Sequence, residues 1–363
     1  MKALIISLLL LFVFKSHGQV LDSLLFQLKQ IPNDTERVNR IYKAGFEKRN
    51  TQPELSYQYA KECEIEAKKT NSPKHLAKSY SLSGILYYKK GEYTKALHYH
   101  KMSLALNRSV GYEYGIAINQ TNLGNIYNEV GYYALAESSY LKALKAYNAI
   151  GDNIQIIKCL NNLGVLKFSL KEYESALKQF EEALVIAEQL NNPELKALCN
   201  NNIGGVLTTQ NKLDSALLYL EEGLKLLDIT GNEKEMADSY INLANIYIKK
   251  ANLADAQLNI ALADSICHKY EYSEAKIELY QTYSSLYEAQ QNYKEANYWL
   301  KKHYHLKDSL LQLDKEMPAI RLQDDDTVLL SKEIKPVFKN EWILVFLGVL
   351  LIGIPLLLMR HKR

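Results

Sequence analysis

Cysteine is scarce in this sequence, and its few cysteines form no metal-binding or redox motif. The 363 residues include four, Cys63, Cys159, Cys199 and Cys267, with no Cys-X-X-Cys pair. The sequence therefore indicates neither a disulfide framework nor a zinc site. Cys159 and Cys199 are forty residues apart, at the same place in successive repeats. They can pair in an oxidising compartment, although small buried thiols on helix faces are the commoner case.

An excess of positive charge is also absent. The chain has 44 Lys and Arg residues against 41 Asp and Glu residues. Five basic residues lie in the terminal segments, which leaves 39 basic against 41 acidic residues between positions 19 and 341. Nucleic-acid binding usually requires a basic stripe, so we expect no nucleic-acid partner.

The sequence lacks the motifs of common catalytic sites. His98 and His100 are two residues apart and face different sides of a helix, as do His303 and His305, whereas zinc-binding pairs on helices are four residues apart. No His-Glu-X-X-His, Gly-X-Ser-X-Gly or phosphate-binding glycine loop is present. We therefore expect no enzymatic activity, no metal site and no cofactor.

What dominates the sequence is a period of forty residues. When the chain is written in rows of that length, one column holds only small residues, and a second such column stands twelve positions later. Seven rows follow one another without insertion or deletion, which is typical of stacked repeat units. The first column is Ala44, Gly84, Gly124, Gly164, Gly204, Ala244 and Ser284, and the second is Ser56, Ala96, Ala136, Ala176, Ala216, Ala256 and Ala296.

Each row is predicted to be a pair of helices, because apolar residues such as Leu123, Ile126 and Val130 recur at helical spacing. Small side chains let two helix axes approach closely, so the two columns are expected to mark where the helices of a pair cross. Helices are expected to end at residues in the left-handed conformation. These residues are Gly91, Gly131, Lys171, Asn211 and Ala251 within rows, and Asn71, Gly111, Gly151, Asn191 and Gly231 between rows.

The segment NLGNIYNEVGYYALAESSYLKAL, which begins at Asn122, resembles the tetratricopeptide repeat. The matching positions are Leu123, Gly124, Tyr127, Gly131, Tyr133, Ala136, Tyr140 and Ala143. The resemblance covers residues 37–316 and implies an all-α superhelical solenoid of about seven helix pairs. Because the shortest form of the repeat has about 34 residues, the longer period implies a longer second helix. Residues 19–36 are expected to form an N-terminal capping helix, and a final helix is expected at residues 304–313.

In this family the first helices line a concave groove, so the resemblance places a ligand there. Asn122, Asn162, Asn202 and Asn242 recur two residues before the first small column. A side-chain amide can bind the main chain of an extended peptide, because it offers both donors and an acceptor. The same amides can instead bond to the neighbouring repeat. The candidate peptide-binding residues are these four with Asn125, Asn161, Asn201 and Asn245, and the candidate specificity residues are Tyr88, Lys158, Phe168 and Lys249.

Both ends of the chain are apolar. Residues 1–18 have the charge, apolar core and small-residue pattern of a secretory signal peptide. An uncleaved anchor is the alternative, although twelve apolar residues span only about 18 Å. Residues 342–359 are uncharged and would rise about 27 Å as a helix, long enough for a single membrane span. Residues 317–341 are expected to link the array to this span.

The basic residues after position 359 predict a short cytoplasmic tail at residues 360–363. The sequence therefore predicts a protein of the bacterial inner membrane with its repeats in the periplasm. We expect a scaffold that binds a protein or peptide. The alternative is a sensor, because the order of segments resembles the extracytoplasmic part of Bacteroidetes sensor histidine kinases. As only four residues follow the predicted span, a sensor would need a separate signalling partner.

Overall fold

The structure is a computed structural model that describes residues 34–311, together with Gln27, Gln30 and Ile31. Residues 34–311 form fourteen α-helices and no strand. The helices are α1 (Asp34–Lys48), α2 (Pro53–Lys69), α3 (Pro73–Lys89), α4 (Tyr93–Ser109), α5 (Glu113–Glu129), α6 (Tyr133–Ile150), α7 (Asn153–Ser169), α8 (Tyr173–Gln189), α9 (Pro193–Thr209), α10 (Leu213–Thr230), α11 (Glu233–Lys249), α12 (Leu253–Lys269), α13 (Ser273–Ala289) and α14 (Tyr293–Leu311).

Backbone conformation and capping set the ends of these helices. All ten predicted stops have positive φ, from 49° at Asn191 to 81° at Gly131, and Glu271 and Gln291 share this conformation. Three helices begin with proline, whose missing N–H is not needed in the first turn. The side chain of Asn192 caps α9 by accepting a hydrogen bond from the backbone N–H of Leu195 at 3.0 Å. The predicted seven helix pairs are confirmed in this part of the chain.

The small columns lie at the crossings within pairs, as predicted. Ala136, Ala176, Ala216 and Ala256 are fully buried. A Cβ added to Gly164 would lie 2.5 Å from the Cε1 atom of Phe180, and one added to Gly204 would lie 2.6 Å from Cγ of Leu220. These distances are too short for any side chain, so glycine is required for the helices to approach this closely.

Three details differ from the predictions. In the first pair the crossing residue is the buried Gly45 rather than Ala44, and the turn after α1 differs from those of the later pairs in having no residue with positive φ. First helices after α1 have 17 residues and second helices 17 to 19, so the expected longer second helix is wrong. The additional residues are shared by both helices. Residues 304–311 continue α14, so no separate helix begins there.

The chain divides into two compact units, with the boundary inside α5. Unit 1 contains the described residues up to Asn119, and unit 2 runs from Gln120 to the end of α14. Within unit 1, α1 packs against α2 and α3, and α3 against α4. Within unit 2, each helix packs against the next, and the first helices α7, α9, α11 and α13 also contact one another in order. This file of first helices presents repeated side chains on one face.

The predicted signal peptide, residues 317–341, the predicted membrane span at 342–359 and the tail at 360–363 lie outside the described residues, as does most of the predicted capping helix. Within the described part of the chain, no helix combines the length and apolar character needed to cross a membrane.

Candidate functional site

Asparagine side chains connect the first helices of unit 2. Asn162 Nδ2 donates to Asn125 Oδ1 at 3.2 Å, which joins α7 to α5. Asn202 Nδ2 donates to Asn161 Oδ1 at 2.5 Å and joins α9 to α7. We call these pairs, together with a third between Asn242 Nδ2 and Asn201 Oδ1 at 3.1 Å, the asparagine ladder. The ladder shows that these amides bond to the neighbouring repeat.

The ladder does not use all the hydrogen-bonding capacity of its amides. Each side-chain amide has two N–H donors and an acceptor with two lone pairs, so a single bond leaves the others available. Asn245 lies one turn beyond Asn242 on α11 and makes no side-chain hydrogen bond to another described residue. The face therefore keeps polar groups that a peptide main chain can bind.

A cavity of about 450 Å³, which we call the acidic cavity, lies along α9 and α11. Its polar lining includes four of the predicted asparagines, Asn201, Asn202, Asn242 and Asn245. Among the residues that the structure describes, all of its charged lining residues are carboxylates and none is Lys or Arg. The carboxylates are Glu194, Glu235, Asp238 and Glu278.

A second cavity of about 530 Å³, which we call the mixed cavity, shares those four asparagines and Glu278 with the first. Apolar side chains of Phe168, Phe180, Val206 and Ile248 line it, together with Lys249. Gly205 leaves space in its wall, because a Cβ there would lie 3.7 Å from the Nδ2 atom of Asn242 and would meet no closer atom. We call the two adjoining cavities the cleft.

Six of the predicted binding residues line the cleft, and the other six do not line either cavity. The lining residues are the four shared asparagines with Phe168 and Lys249. Asn125, Asn161 and Asn162 belong to the ladder only. Asn122 has a buried Nδ2 atom without a hydrogen-bond partner in the described part of the chain. Lys158 is exposed on α7, and Tyr88 belongs to unit 1, where its ring lies 5.8 Å from that of Tyr93.

The carboxylates of the cleft and Gly205 were not predicted from the sequence. Some of them stand in the same repeat columns as residues that were predicted. Asp238 and Glu278 follow Lys158 and Leu198 in one column of the forty-residue repeat. Lys158 is the member of that column that the sequence predicts as a binding residue, but Asp238 and Glu278 line the cleft instead. The column of Asn125 continues through Val165, Gly205, Asn245 and Ser285, and the last four all line the mixed cavity. Residue type changes from row to row in both columns, so neither column signals these residues.

Asp238 has an unusual electrostatic environment. Burial raises the pKa of its carboxyl to about 6, and the nearby charge of Glu235 adds to this effect. The hydroxyl of Tyr272 donates to Asp238 Oδ2 at 3.2 Å and opposes the increase in part, as does the ammonium of Lys234. Since the raised value is still below neutral pH, the carboxylate is mostly ionised there.

The described residues contain no group of His, Cys, Asp and Glu arranged to hold a metal ion. All four cysteines are buried free thiols. Burial raises the pKa of the Cys63 and Cys199 thiols to about 12, and that of the Cys159 and Cys267 thiols to about 11. These thiols are therefore protonated at neutral pH, a form that is neither a good nucleophile nor a metal ligand.

The tetratricopeptide repeat family model matches residues 115–189 and 155–228. No curated protein gives a significant match to the sequence. Among solved structures, the apo form of RapI is similar with a TM-score of 0.63 and 15% sequence identity, over 76% of this chain and 99% of RapI.

Two similar structures contain a bound ligand. A Rap protein complexed with competence and sporulation factor has a TM-score of 0.62 and 16% identity, over 78% of this chain and 83% of its own. The Rap conjugation gene regulator of plasmid pLS20, in complex with the Phr* peptide, has a TM-score of 0.59 and 16% identity, over 76% and 74% of the two chains. Identities of this size show a common fold alone. The family match identifies tetratricopeptide repeats within residues 115–228, and the described helices continue the same succession of pairs on both sides.

Proposed function

We propose that the cleft in unit 2 binds an extended peptide or an extended segment of a protein. The observation that carries this proposal is the presence of four asparagine amides in the wall of two adjoining cavities. Cavities of several hundred Å³ lined by apolar groups and a few polar groups are typical of ligand sites. Amides spaced along neighbouring helices suit a main chain, whose N–H and C=O groups recur along its length.

The proteins of similar fold support the same proposal. One was solved with competence and sporulation factor and another with the Phr* peptide. Their sequence identity to this chain is too low for a ligand to be transferred. They make a helical-repeat surface a reasonable place to test for peptide binding.

Gly205 provides a direct test of the cleft. A leucine at this position would extend into the mixed cavity without meeting an atom close to its Cβ, and it would favour the helix. The matched control is Gly205→Ala, which improves helix propensity in the same way but leaves most of the cavity open. Neither variant is expected to lose stability.

The experiment begins with selection of random peptides displayed on phage against the full-length protein. Selected peptides are synthesised, and their dissociation constants are measured by fluorescence anisotropy. Gly205→Leu should weaken binding by about tenfold or more, while Gly205→Ala should bind like the wild type. The proposal is wrong if no peptide is enriched, or if the leucine variant binds enriched peptides with unchanged affinity.

Asn245→Ala and Asn162→Ala distinguish binding from structure. Asn245 lines both cavities and makes no side-chain hydrogen bond to another described residue, whereas Asn162 lies in the ladder outside the cavities. We expect Asn245→Ala to reduce peptide affinity with little change in stability, and Asn162→Ala to do the reverse. The opposite result would assign the ladder residues, rather than the cleft, to the ligand.

We also propose that the repeats lie in the periplasm of a bacterium and are anchored in the inner membrane by residues 342–359. The support is the apolar sequence of that segment and the basic residues that follow it. Protease treatment of spheroplasts should digest the repeats while the protein stays in the membrane fraction after carbonate extraction. Full protection of the repeats, or release by carbonate, would overturn the proposal.

A sensor role is the second candidate, because the segment order resembles sensor ectodomains. In that case peptide binding in the cleft would change the activity of a separate signalling partner. Chemical cross-linking in membranes, with and without a selected peptide, should then recover a kinase whose phosphorylation depends on the peptide. A partner that is not a kinase or regulator would favour the scaffold.

A further inference from the structure

The charges of the cleft are unevenly distributed. Glu194, Glu235 and Glu278 line the acidic cavity, and none of them forms a salt bridge within the described residues. The nearby Lys234 lies outside the lining, with its ammonium 4.2 Å from the ring centroid of Tyr272. The cavity therefore has a negative potential that its own lining does not neutralise.

Helix stability accounts for only part of this charge. Glu194 and Glu235 lie in the first turns of α9 and α11, where a carboxylate interacts favourably with the helix dipole. Asp238 and Glu278 lie beyond the first turns of α11 and α13, so that interaction is weak for them. Both nevertheless line the acidic cavity, and burial of the Asp238 carboxyl disfavours its charge. These two residues add negative charge to the cavity without a corresponding benefit to their helices.

The mixed cavity has a different character. Phe168 and Ile248 provide apolar side chains in its lining, and Lys249 provides a positive charge. This lysine offsets the charge of Glu278, which lines both cavities, so a cationic ligand group is favoured in the acidic cavity over the mixed cavity. The four asparagines line both cavities. The main chain of a peptide that occupies both cavities would therefore lie beside them.

We propose, on the basis of the peptide-binding function above, that the cleft selects a peptide in which a Lys or Arg side chain is adjacent to a large apolar side chain. The cationic group enters the acidic cavity, the apolar group enters the mixed cavity, and the shared asparagines bind the main chain between them. The carboxylates also exclude acidic peptides by charge repulsion. The ligand class is thus a basic and apolar peptide segment.

The test uses synthetic peptide pools with acetylated N-termini and amidated C-termini. Their central residues are Lys-Phe, Gln-Phe, Glu-Phe or Lys-Gln, and the flanking positions vary among Ala, Ser and Thr. The full-length protein is titrated with each pool and anisotropy is measured. We expect the Lys-Phe pool to bind about tenfold more tightly than the Gln-Phe and Lys-Gln pools, and the Glu-Phe pool to bind most weakly. The preference for Lys should decrease at high salt.

Two double variants with the same change in net charge locate the effect. Glu235→Gln with Glu278→Gln removes two exposed carboxylates of the cavity, and Glu221→Gln with Glu222→Gln removes two exposed carboxylates of α10 outside it. The first pair should reduce the preference for Lys over Gln to about threefold or less, and the second should leave it unchanged. Circular dichroism confirms that each variant is folded.

The outcomes separate this inference from the proposed function. If several pools bind, Gly205→Leu abolishes binding and Lys gives no advantage over Gln, the cleft binds peptides but the charge preference is wrong. An equal effect of both double variants would also overturn the preference, because net charge rather than the cavity would explain it. If no pool binds, or if Gly205→Leu has no effect on any pool, the peptide-binding function itself is wrong.

Discussion

Corresponding crossings in the two units have different interiors. In unit 1, Gly84 lies against the ring of His100, and Asn119 follows on the next helix. In unit 2, the same positions two rows later are Gly164, Phe180 and Cys199. A Cβ added to the glycine would meet His100 Nε2 at 2.7 Å or Phe180 Cε1 at 2.5 Å. One backbone geometry therefore accommodates a polar interior and an apolar one.

The polar interior of unit 1 is a connected hydrogen-bond network. Asn119 Nδ2 donates to Ser103 Oγ at 2.9 Å and to the carbonyl oxygen of Gly115 at 2.8 Å. The carbonyl oxygen of Gly115 can only accept, so the Nδ2 atom of Asn119 must face it. Asn119 Oδ1 therefore faces His100 and accepts a hydrogen bond from its Nδ1 at 3.2 Å. Ser103 Oγ donates in turn to the carbonyl oxygen of Ala77 at 2.7 Å. His100 therefore carries a proton on Nδ1.

The comparison shows that steric and chemical requirements at a crossing are separate. The glycine is needed in both units because a ring occupies the space beside it. The character of the ring then determines how the unit responds to pH. Burial lowers the pKa of the His100 imidazole to about 4, an effect that the hydrogen bond with Asn119 opposes only in part. Phe180 has no such response.

The largest expected effect is a loss of stability in acid that depends on His100. An unfolded histidine has a pKa of about 6.5, so between pH 6.5 and 4 the unfolded chain binds more protons than the folded chain. The stability from a neutral His100 is thus present above pH 6.5 and is lost as pH falls towards 4, by about 3 kcal/mol in total. Urea denaturation at pH 7 and pH 4.5 measures this loss.

The double variant His100→Phe with Asn119→Cys gives unit 1 the residues of unit 2 and should remove most of this acid sensitivity. His305→Phe replaces an exposed histidine and should leave it unchanged. If the double variant and the wild type lose the same stability between the two pH values, the network is not the source of the loss.

Overpacking should affect both units alike, because the alanine column does not depend on the network. Ala96 and Ala176 are fully buried at equivalent crossings. Replacement of either by leucine would force the helices apart, at a cost of about 1 to 3 kcal/mol. Thermal and urea denaturation of the two single variants measure the cost. Unchanged stability of Ala176→Leu would mean that the crossing has been assigned to the wrong residue.

Steric constraints explain why so much of the fold was predictable. A crossing that admits no side chain and a helix stop with positive φ both restrict residue type, so they produce columns that can be read from the sequence. Gly45 was not predicted because the crossing in the first pair lies one residue later than in the other rows. The first pair also requires a small residue at its crossing, but at a different position of the repeat from the other rows.

Chemical character was less predictable, because it changes from row to row. His100 and Asn119 look like ordinary variation in columns whose other members include Phe180 and Cys199. The four asparagines of the cleft were predicted, since they recur. Its carboxylates share a column or a helix start with unrelated residues. The cavity beside Gly205 exists because, within unit 2, that row alone has no side chain at this position. A property confined to one or two rows leaves no periodic signal.

Asp238 should show the opposite pH dependence to His100. Its folded pKa of about 6 is above the ordinary value of 3.8, so the folded chain holds a proton that the unfolded chain releases. Stability therefore falls as pH rises through this range. Asp238→Asn should be more stable than the wild type at pH 7.5 by about 1 to 2 kcal/mol, a value reduced for partial solvent exposure, and nearly equal to it at pH 4.

The measurement is urea denaturation at both pH values, with the exposed Glu222→Gln as a control. A stabilisation by Asp238→Asn that is the same at pH 4 and pH 7.5 would show that the carboxylate does not titrate in this range. Of these two groups, His100 alone would then contribute to the pH dependence of stability.

The smallest effect concerns two adjacent glycines of α9. Gly204 faces the crossing, where a Cβ would meet Leu220, whereas Gly205 faces the mixed cavity, where a Cβ would make only ordinary contacts. Gly205→Ala should raise stability by about 0.5 to 1 kcal/mol, because alanine has the better helix propensity. Gly204→Ala should lower stability despite the same gain in helix propensity, because its Cβ would clash with Leu220. Gly84→Ala should also lower stability, because its Cβ would clash with His100. If Gly205→Ala is also destabilising, the cavity beside it is filled in solution, and the space proposed for the peptide does not exist.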